Sequence, residues 1–273
     1  MKLAILLATY NGGKYLRKQL DSIITQTYQN FQLYIRDDGS IDNTLTIIDE
    51  YIKLHPHRIC LLRDDITHRG AAKSFMWLLE NVDSDYYMFC DQDDIWLPNK
   101  IELTLKKILL VERDNPGVPI LIHTDLKVVD ENLRTISPSF WESMKLKPNI
   151  LQHINYIAVC NCVTGCTMMI NKIAREYSIS MPNDAPMHDH WIAYVCAYNG
   201  VIDNLPSPTI LYRQHGNNTV GAKKVSLGNT IKKIIRIHKS IQKYYISAAF
   251  FKDYGYGSIP KWFLYKILYL IRR

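Results

Sequence analysis

Three carboxylates fall within four positions of the chain, directly after a run of apolar and aromatic residues. The segment reads "YYMFCDQDDIWLP" over residues 86–98 and contains the acids Asp91, Asp93 and Asp94. Like charges at this spacing repel one another, and burying them costs several kcal/mol unless a positive group compensates. In an extended segment, residues two apart point the same way, so Asp91 and Asp93 are expected to face one shared ligand.

Carboxylate oxygens are the ligands that hard cations such as Mg²⁺ and Mn²⁺ prefer. Two carboxylates are too few to enclose such a cation, and Mg²⁺ commonly binds one or two of them together with phosphate oxygens. A diphosphate is therefore the expected partner of this site. The chain has neither a GxxxxGKS/T loop nor a GxGxxG loop after its first predicted strand, which argues against an ordinary NTPase and a nicotinamide-dependent dehydrogenase.

Hydrophobic periodicity indicates the elements that must position these acids. Strands are predicted for "KLAILLATY", "FQLYIRD", "RICLL" and "DYYMFC", and the segments between them carry apolar residues at helical spacing. This alternation indicates a parallel α/β sheet, in which ligands bind at the carboxyl ends of the strands. Two further polar clusters, "TYNG" and "RDDGSIDNT", follow the first and second strands. Each cluster alone is also typical of a turn, but three at one edge indicate a binding site.

The chain resembles the inverting family 2 glycosyltransferases, which have the GT-A fold, in four consecutive segments. Within residues 3 to about 104 these are "LLATYNGGKYLRKQLDSIITQTY", "RDDGSIDNT", "RGAAKSF" and "FCDQDDIWLPNKI". Three later segments, "VTGCTMMIN", "HDHWIA" and "YRQHGNN", are most similar to the bacterial rhamnosyltransferase branch. The resemblance implies an α/β fold with a Rossmann-like, mostly parallel central sheet that is flanked by helices.

The resemblance also implies which residues bind the donor. Asp38 is expected to accept a hydrogen bond from the N3–H of a uracil or thymine base, and Asp91 to approach the ribose or the metal. The metal that bridges the diphosphate is expected to be Mg²⁺ or Mn²⁺, with Asp93 as its foremost ligand. The other residues implied on this side are Thr9, Tyr10, Asn11, Gly70 and Arg213 for the nucleotide, and Asp94 and His215 for the metal.

Four residues are candidates for the acceptor side. By resemblance, Asp189 in "HDHW" is the general base that takes the proton of the acceptor hydroxyl, whereas taken alone it is more simply a helix N-cap, worth ~1 kcal/mol. Trp96 and Trp141 are candidates for stacking on a sugar, although large aromatic rings more often pack in a core. Gly165 is expected at a turn where the backbone approaches the substrate closely.

The basic residues are concentrated at the end of the chain. Residues 223–273, here called the basic tail, contain 12 Lys and Arg and one acid, Asp253, within a chain whose total charge is +7. The segment "TIKKIIRIHKSIQKYY" places apolar residues on one helical stripe, namely Ile231, Ile234, Ile235, Ile241 and Tyr245. This pattern predicts a basic amphipathic helical extension on an anionic membrane surface. Packing on the catalytic domain and a subunit contact are the alternatives, and nucleic acid is not expected because no binding motif accompanies the charge.

Residues 1–222 are predicted to form the GT-A catalytic domain, followed by the basic tail. The nucleotide-sugar half of the catalytic domain is expected at about residues 1–118, and the acceptor half at about residues 119–222. The chain has no run of 18 apolar residues, so no membrane-spanning helix is expected. The six cysteines lie mostly in apolar runs, which is typical of reduced core thiols in a cytoplasmic protein.

The expected function is that of an inverting glycosyltransferase in bacterial surface polysaccharide synthesis. It would move a sugar, L-rhamnose from dTDP-rhamnose, to a glycan or lipid-linked acceptor at the inner face of the plasma membrane. A homo-oligomer is compatible with the sequence. Two alternatives stay open: a UDP-hexose or UDP-hexosamine donor, and a non-catalytic nucleotide-binding scaffold at the membrane.

Overall fold

A mixed sheet forms the centre of the molecule in the computed structural model, which describes residues 1–216 and 230–272. Its strands, in chain order, are β1 (Leu3–Thr9), β2 (Gln32–Asp37), β3 (Ile59–Leu61), β4 (Tyr86–Cys90), β5 (Ile95–Trp96), β6 (Ile120–Val129), β7 (Thr135–Ser137), β8 (Met169–Asn171) and β9 (Val201–Arg213). They lie in the order β3-β2-β1-β4-β8-β6-β9-β5, and β7 pairs with β6.

The direction of the strands changes at β8. Strands β3, β2, β1 and β4 run parallel to one another, as the alternation of strands and helices predicts. Strand β8 runs antiparallel to both β4 and β6, so the sheet is mixed from that point onward. Strand β6 is a single strand of 10 residues, and its register against the parallel β9 shifts on both sides of Asp125.

Helices and core residues cover both faces of the sheet. Alternate residues of β1 point to opposite faces, with Ala4 and Leu6 in one core and Ile5 and Leu7 in the other. This burial on two sides explains why β1 is a nearly continuous apolar run. The helices are α1 (Leu16–Ile24), α2 (Thr44–Leu54), α3 (Ala71–Asn81), α4 (Lys100–Asp114), α5 (Phe140–Ser143), α6 (Pro148–Leu151), α7 (Ile154–Ile157), α8 (Lys172–Ser178), α9 (His188–Asn199), α10 (Thr230–Phe251) and α11 (Ile259–Arg272).

Parallel pairing brings the three polar clusters to one edge of the sheet. Strand β1 lies between β2 and β4, with Thr9 beside Asp37 and Leu7 beside Cys90. The loops after β1, β2 and β4 therefore begin next to one another. This is the edge at which the sequence predicts a binding site.

The helices α10 and α11 pack against the rest of the molecule. The side chains of Phe251, Trp262 and Tyr269 are at most 2% exposed and belong to the same core as residues of α7 and α9. Trp262 Nε1 also donates a hydrogen bond to the carbonyl of Ala158 at 2.9 Å. These two helices are therefore tied to the sheet-bearing part of the chain by buried contacts.

The predicted amphipathic stripe of the basic tail lies only partly within the described part of the chain. Residues 217–229 and 273 lie outside it, as do the side chains of Ile231, Ile234 and Ile235. The side chains of Ile241 and Tyr245 are each more than half exposed. Across residues 1–216 and 230–272, none of the helices combines the length and the apolar character needed to cross a lipid bilayer.

Candidate active site

Hydrogen bonds join the loops that follow β1 and β2. Thr9 Oγ1 donates to Asp37 Oδ1, and the N–H of Asn11 donates to Ser40 Oγ, both at 2.8 Å. Asp37 also accepts from the backbone N–H groups of Gly39 and Ser40. The structure thus brings Thr9 and Asn11, two of the expected nucleotide-binding residues, to the edge where the loops meet.

Gln92, which lies between the first two acids of the "DQDD" segment, ties that segment to the loop after β1. Its Oε1 accepts from the N–H of Tyr10, and its Nε2 donates to the Tyr10 carbonyl, both at 2.9 Å. A Cβ on Gly12 would lie 2.1 Å from Gln92 Oε1, so glycine leaves the room that this side chain needs. The Tyr10 side chain is itself exposed and accessible to a ligand. Sequence patterns gave no signal for Gln92, because an uncharged residue between two acids matches no binding pattern.

Asp38 is buried, and its carboxylate binds groups from two segments of the chain. Oδ1 accepts from Arg36 Nη1 at 2.8 Å and from the N–H of Arg69 at 2.9 Å, and Oδ2 accepts from the N–H of Gly70 at 2.8 Å. Burial opposes ionisation, but these hydrogen bonds outweigh it and lower the pKa of Asp38. The structure gives Asp38 a further role, that of fixing the loop before α3, and its contact with a base stays a prediction. Gly70, with a φ of 80°, is the N-cap of that helix.

Residues 91–94, here called the acidic loop, turn away from the direction of β4. The strand ends at Cys90, and residues 92 and 93 form a turn. The expectation of an extended segment is therefore wrong. The turn brings Asp91 close to Asp94, so that ligand atoms of Asp91, Asp94 and Cys166 lie within 4.8 Å of one another. Asp93 contacts the loop after β9 instead, with its Oδ2 2.7 Å from Nε2 of His215.

Arg213 binds the acidic loop through hydrogen bonds to Asp93 and Asp94. Its backbone N–H donates to Asp94 Oδ1 at 3.1 Å, its Nε to the carbonyl of Asp93 at 2.7 Å, and its Nη1 to the carbonyl of Glu131 at 2.9 Å. Only 1% of the residue is exposed. The expectation that Arg213 binds the nucleotide is therefore corrected, because the structure buries its guanidinium among backbone carbonyls.

Asp189 occupies the second position of α9, and backbone groups orient its carboxylate. Oδ2 accepts from the N–H of Gly165 at 3.1 Å, and Oδ1 accepts from the N–H of His190 at 2.6 Å and from Asn161 Nδ2 at 3.3 Å. The N-cap of the helix is Met187, so the interpretation of Asp189 as an N-cap is wrong. The carboxylate is positioned by three donors instead.

The charge of Asp189 acts on the acidic loop. Burial raises the pKa of Asp189 to about 6. Burial, followed by the charges of Asp93 and Asp189, raises the pKa of Asp91. The base expected on the acceptor side and the acids expected on the donor side therefore lie within electrostatic reach of one another. Such a group of perturbed carboxylates is typical of a catalytic or metal-binding site.

The three acceptor candidates differ in their surroundings. Trp96 is 2% exposed and packs in the core, so its ring offers no face to a sugar and the stacking expectation is wrong. Trp141 is also largely buried, packs edge-to-face on His123 and borders a surface cavity of about 600 Å³. Gly165 is buried, and a Cβ there would lie 2.9 Å from His188 Nε2, so a side chain would displace the donor that orients Asp189.

The acidic loop and His215 are chemically suited to hold a divalent cation. Asp91 is partly exposed, and Asp93 and His215 already lie within hydrogen-bond distance of each other. Carboxylate oxygens suit both Mg²⁺ and Mn²⁺. A cation would also relieve the repulsion that raises the pKa of Asp91. Of the residues expected to bind the metal, Asp91 and Asp94 have ligand atoms that lie close together, and Asp93 pairs with His215.

The chain is similar to several known sugar-transferring proteins. A family model described as "Glycosyl transferase family 2" matches residues 4–178. The dTDP-rhamnosyl transferase RfbG of Shigella flexneri is 33% identical over 230 residues, which cover 79% of this chain and 74% of that protein.

Two solved structures are similar in fold. TarS of S. aureus in complex with UDP-GlcNAc has a TM-score of 0.60 and 18% identity, over 94% of this chain and 74% of that one. The mannosyltransferase PcManGT of Pyrobaculum calidifontis, in complex with GDP-Man and Mn²⁺, has a TM-score of 0.59 and 16% identity. That match covers 77% of this chain but only 56% of the mannosyltransferase.

Replacing Asp189 by Asn is expected to change how stability depends on pH. The pKa of Asp189 is raised from 3.8 to about 6 on folding. The folded state therefore favours the protonated acid and loses stability as pH rises through this window. Allowing for solvent screening, the wild type should lose about 1–3 kcal/mol relative to Asp189→Asn between about pH 3.5 and about pH 7.

Urea unfolding at the two pH values measures this difference. Asp184→Asn is the matched control, because Asp184 is an exposed acid just before α9 and should show no pH-dependent difference from the wild type. A stability difference between wild type and Asp189→Asn that stays the same at both pH values would contradict the raised pKa.

Proposed function

The chain belongs to glycosyl transferase family 2, and we propose that it moves a sugar from a nucleotide-diphosphate donor to a glycan or lipid-linked acceptor, with inversion at the anomeric carbon. The family and the GT-A fold expected from the sequence are confirmed. The observation that carries the proposal is that Asp189 binds the N–H of Gly165, next to Cys166, whose thiol lies within 4.8 Å of ligand atoms of Asp91 and Asp94. Asp189 supplies a base for the acceptor, and the acidic loop supplies carboxylates for the donor.

Asp189 acts as the general base. Inverting transfer is one in-line displacement, in which the acceptor hydroxyl loses its proton as its oxygen attacks the anomeric carbon. With a pKa of about 6, Asp189 is ionised at neutral pH yet basic enough to take that proton, an effect worth about 10²–10⁴-fold in rate. The donors from Gly165, His190 and Asn161 hold the carboxylate in one orientation. No covalent intermediate is required.

The acidic loop and the loop after β1 hold the donor. Asp91 and Asp94, together with Asp93 and His215, would bind Mg²⁺ or Mn²⁺, which when bound supplies positive charge to the leaving diphosphate. Thr9 and Asn11 sit at the edge where the nucleotide is expected, and Tyr10 offers an exposed ring for contact with it. Gln92 keeps the two loops in register through its paired bonds to the Tyr10 backbone.

The favoured donor is dTDP-L-rhamnose. The 33% identity to a dTDP-rhamnosyl transferase supports this donor. The resemblance of the segments "HDHWIA" and "YRQHGNN" to the rhamnosyltransferase branch supports it as well. A UDP-hexose or UDP-hexosamine donor is the second candidate, since TarS has been solved with UDP-GlcNAc. A non-catalytic nucleotide-binding scaffold is the third, and turnover distinguishes it from the other two. We place the reaction in bacterial surface polysaccharide synthesis, in the cytoplasm.

Turnover of a panel of nucleotide sugars, with Asp189→Asn beside the wild type, tests the proposal. The wild type should release nucleoside diphosphate from dTDP-rhamnose in preference to UDP-sugars. Asp189→Asn should keep donor affinity within a few-fold and lose at least about 10²-fold in kcat, because only the base is removed. Asp184→Asn is the control and should keep full activity. Wild-type turnover in Asp189→Asn would exclude Asp189 as the base, and no turnover of any donor by the wild type would favour the scaffold.

We also propose that α11 contacts the inner face of the plasma membrane. Its outward side chains Leu264, Ile267, Leu270 and Ile271 are each more than half exposed, and no acid lies on this helix. The basic tail that contains α11 is strongly cationic. Aliphatic residues on a cationic segment suit a surface of anionic lipids, where each nearby cation adds about 1 kcal/mol. An acceptor linked to lipid would be presented at that surface.

Flotation with vesicles tests this contact. Deleting the basic tail is unsuitable, because it would remove Phe251 and Trp262 from the core. The double variant Leu264→Ser/Ile267→Ser should instead bind phosphatidylglycerol vesicles about tenfold or more weakly than the wild type.

The matched control is Leu109→Ser/Leu110→Ser, which alters two exposed leucines of α4 and should bind these vesicles as the wild type does. Phosphatidylcholine vesicles should bind all three proteins weakly. Equal flotation of the Leu264→Ser/Ile267→Ser variant and the wild type on phosphatidylglycerol vesicles would rule out α11 as the contact.

A further inference from the structure

The ring of Tyr15 lies among three side chains at the edge where the loops meet. Its centroid is 4.6 Å from Cζ of Arg213 and 4.8 Å from the centroid of the His215 ring, and the two ring planes differ by 31°. The ammonium of Lys14 lies 4.9 Å from the same centroid. Tyr15 follows β1, whereas Arg213 ends β9 and His215 comes just after it. The ring therefore joins two parts of the chain that are far apart in sequence.

Neither helix capping nor core packing explains this ring. Tyr15 is the N-cap of α1, but its side chain makes no capping hydrogen bond. The residue is only partly buried, and it belongs to neither hydrophobic core of the described part of the chain. Leu16, Leu20 and Ile23 already anchor α1 in one of those cores. The ring packs instead on the side chains at the end of β9.

The backbone before α1 fixes the place of the ring. The N–H groups of Tyr15 and Leu16 both donate to the carbonyl of Gly12 at 3.0 Å, and the N–H of Gly12 donates to Thr44 Oγ1 at 2.9 Å. Thr44 is the first residue of α2 and is 0% exposed. These hydrogen bonds involve neither the acidic loop nor the end of β9. The ring is therefore held from the side of α2 and offers a fixed surface to the residues that pack on it.

His215 is the residue that this surface can orient. Its Nε2 lies 2.7 Å from Asp93 Oδ2. An imidazole can rotate about two side-chain bonds, and contact with the Tyr15 ring restricts that rotation. The contact thus favours the orientation in which Nε2 is directed at Asp93.

Arg213 provides a second contact between Tyr15 and the acidic loop. Its guanidinium lies over the Tyr15 ring, where a cation is favoured, and its Nε donates to the carbonyl of Asp93 at 2.7 Å. An ion pair of 3.1 Å between Lys14 and Glu131 joins the loop after β1 to the loop after β6. Both side chains of that pair are more than half exposed, and such pairs contribute little. The ring contacts are therefore the stronger link between these loops.

We propose that Tyr15 is a positioning residue that holds the His215 imidazole against Asp93. Tyr15 acts through the imidazole and is not itself a metal ligand. The loop after β1, which is expected to bind the nucleotide, thereby also sets the geometry of the expected metal site. The ring contacts belong to the protein alone, and only the step from them to metal binding rests on the proposed function.

NMR signals of the histidine side chains test the contact without metal or nucleotide. Aromatic rings that stack change each other's chemical shifts, so Tyr15→Leu should move the C–H signals of His215 away from their wild-type positions. Tyr15→Phe keeps a ring and should leave them close to those positions. The variant His215→Gln identifies the signals by their loss. His215 signals that do not move in Tyr15→Leu would overturn the proposed contact.

Calorimetric titration with Mn²⁺ tests the positioning. Tyr15→Leu should bind Mn²⁺ at least about tenfold more weakly than the wild type, and Tyr15→Phe should bind it within about threefold. Glu131→Gln, which weakens the exposed pair with Lys14 but leaves the ring in place, is the matched control and should also bind within about threefold. The double variant Tyr15→Leu/His215→Gln should bind at most about threefold more weakly than His215→Gln, because both changes act on one imidazole.

Three results of this titration would overturn the positioning. In the first, Tyr15→Leu binds Mn²⁺ as tightly as the wild type. In the second, Tyr15→Phe loses as much affinity as Tyr15→Leu, which would assign the effect to the hydroxyl. In the third, the double variant loses the full sum of the two single effects, so that Tyr15 does not act through His215.

Two further outcomes are decided separately. If Tyr15→Leu fails to fold, Tyr15→Met takes its place in both measurements, and failure of both variants to fold would give Tyr15 a folding role and overturn the proposal. If the wild type itself bound no Mn²⁺, the metal part of the proposed function would fail, and the His215 signals would still decide whether Tyr15 orients the imidazole.

Discussion

The repulsion among the carboxylates at the end of β4 is the constraint on which the site depends. Parallel strands bring the loops after β1, β2 and β4 to one edge, and the acidic loop must be held there despite its charge. One neutral and one cationic side chain hold the acidic loop in place. Gln92 ties the acidic loop to the loop after β1, and Arg213 donates hydrogen bonds to it. A divalent cation would balance the remaining negative charge of the loop.

The same constraint relates the two halves of the site. Asp189 comes from α9, far along the chain from the acidic loop, yet its charge contributes to the raised pKa of Asp91. Its own carboxylate is fixed by the backbone of Gly165, which packs against His188 and tolerates no side chain. A partly buried base that is oriented in this way is ready to accept a proton at neutral pH. In the proposed transfer, Asp189 therefore acts as a base and the acids of the acidic loop bind the donor, and their different surroundings determine these roles.

Much of the fold could be predicted from the sequence, because it depends on local apolar patterns. The runs that form β1 and β4 are apolar on both faces, and the helices between the strands have regular spacing. The side-chain directions at the site could not be predicted in this way. Asp91 and Asp93 were expected to share a face, but the turn at residues 92–93 placed Asp94 beside Asp91. The burial of Arg213 and Trp96 likewise depends on strands that meet only in the folded sheet.

The C-terminal helices show a second limit of sequence patterns. An apolar stripe on a basic helix is equally suited to a lipid surface and to a protein core. In α11 both occur, since Trp262 and Tyr269 enter the core while Leu264 and Ile267 face outward. Periodicity alone cannot assign the two faces, because the helix is apolar on both.

The most direct test of the site is calorimetric titration with dTDP and with UDP, each in the presence and absence of Mn²⁺. If the acidic loop holds a cation that bridges the diphosphate, nucleotide should bind at least about tenfold tighter with Mn²⁺. Mn²⁺ should bind tighter by the same factor when nucleotide is present, because such coupling is reciprocal. Nucleotide affinities that are equal with and without Mn²⁺ would contradict a shared site for cation and diphosphate at the end of β4.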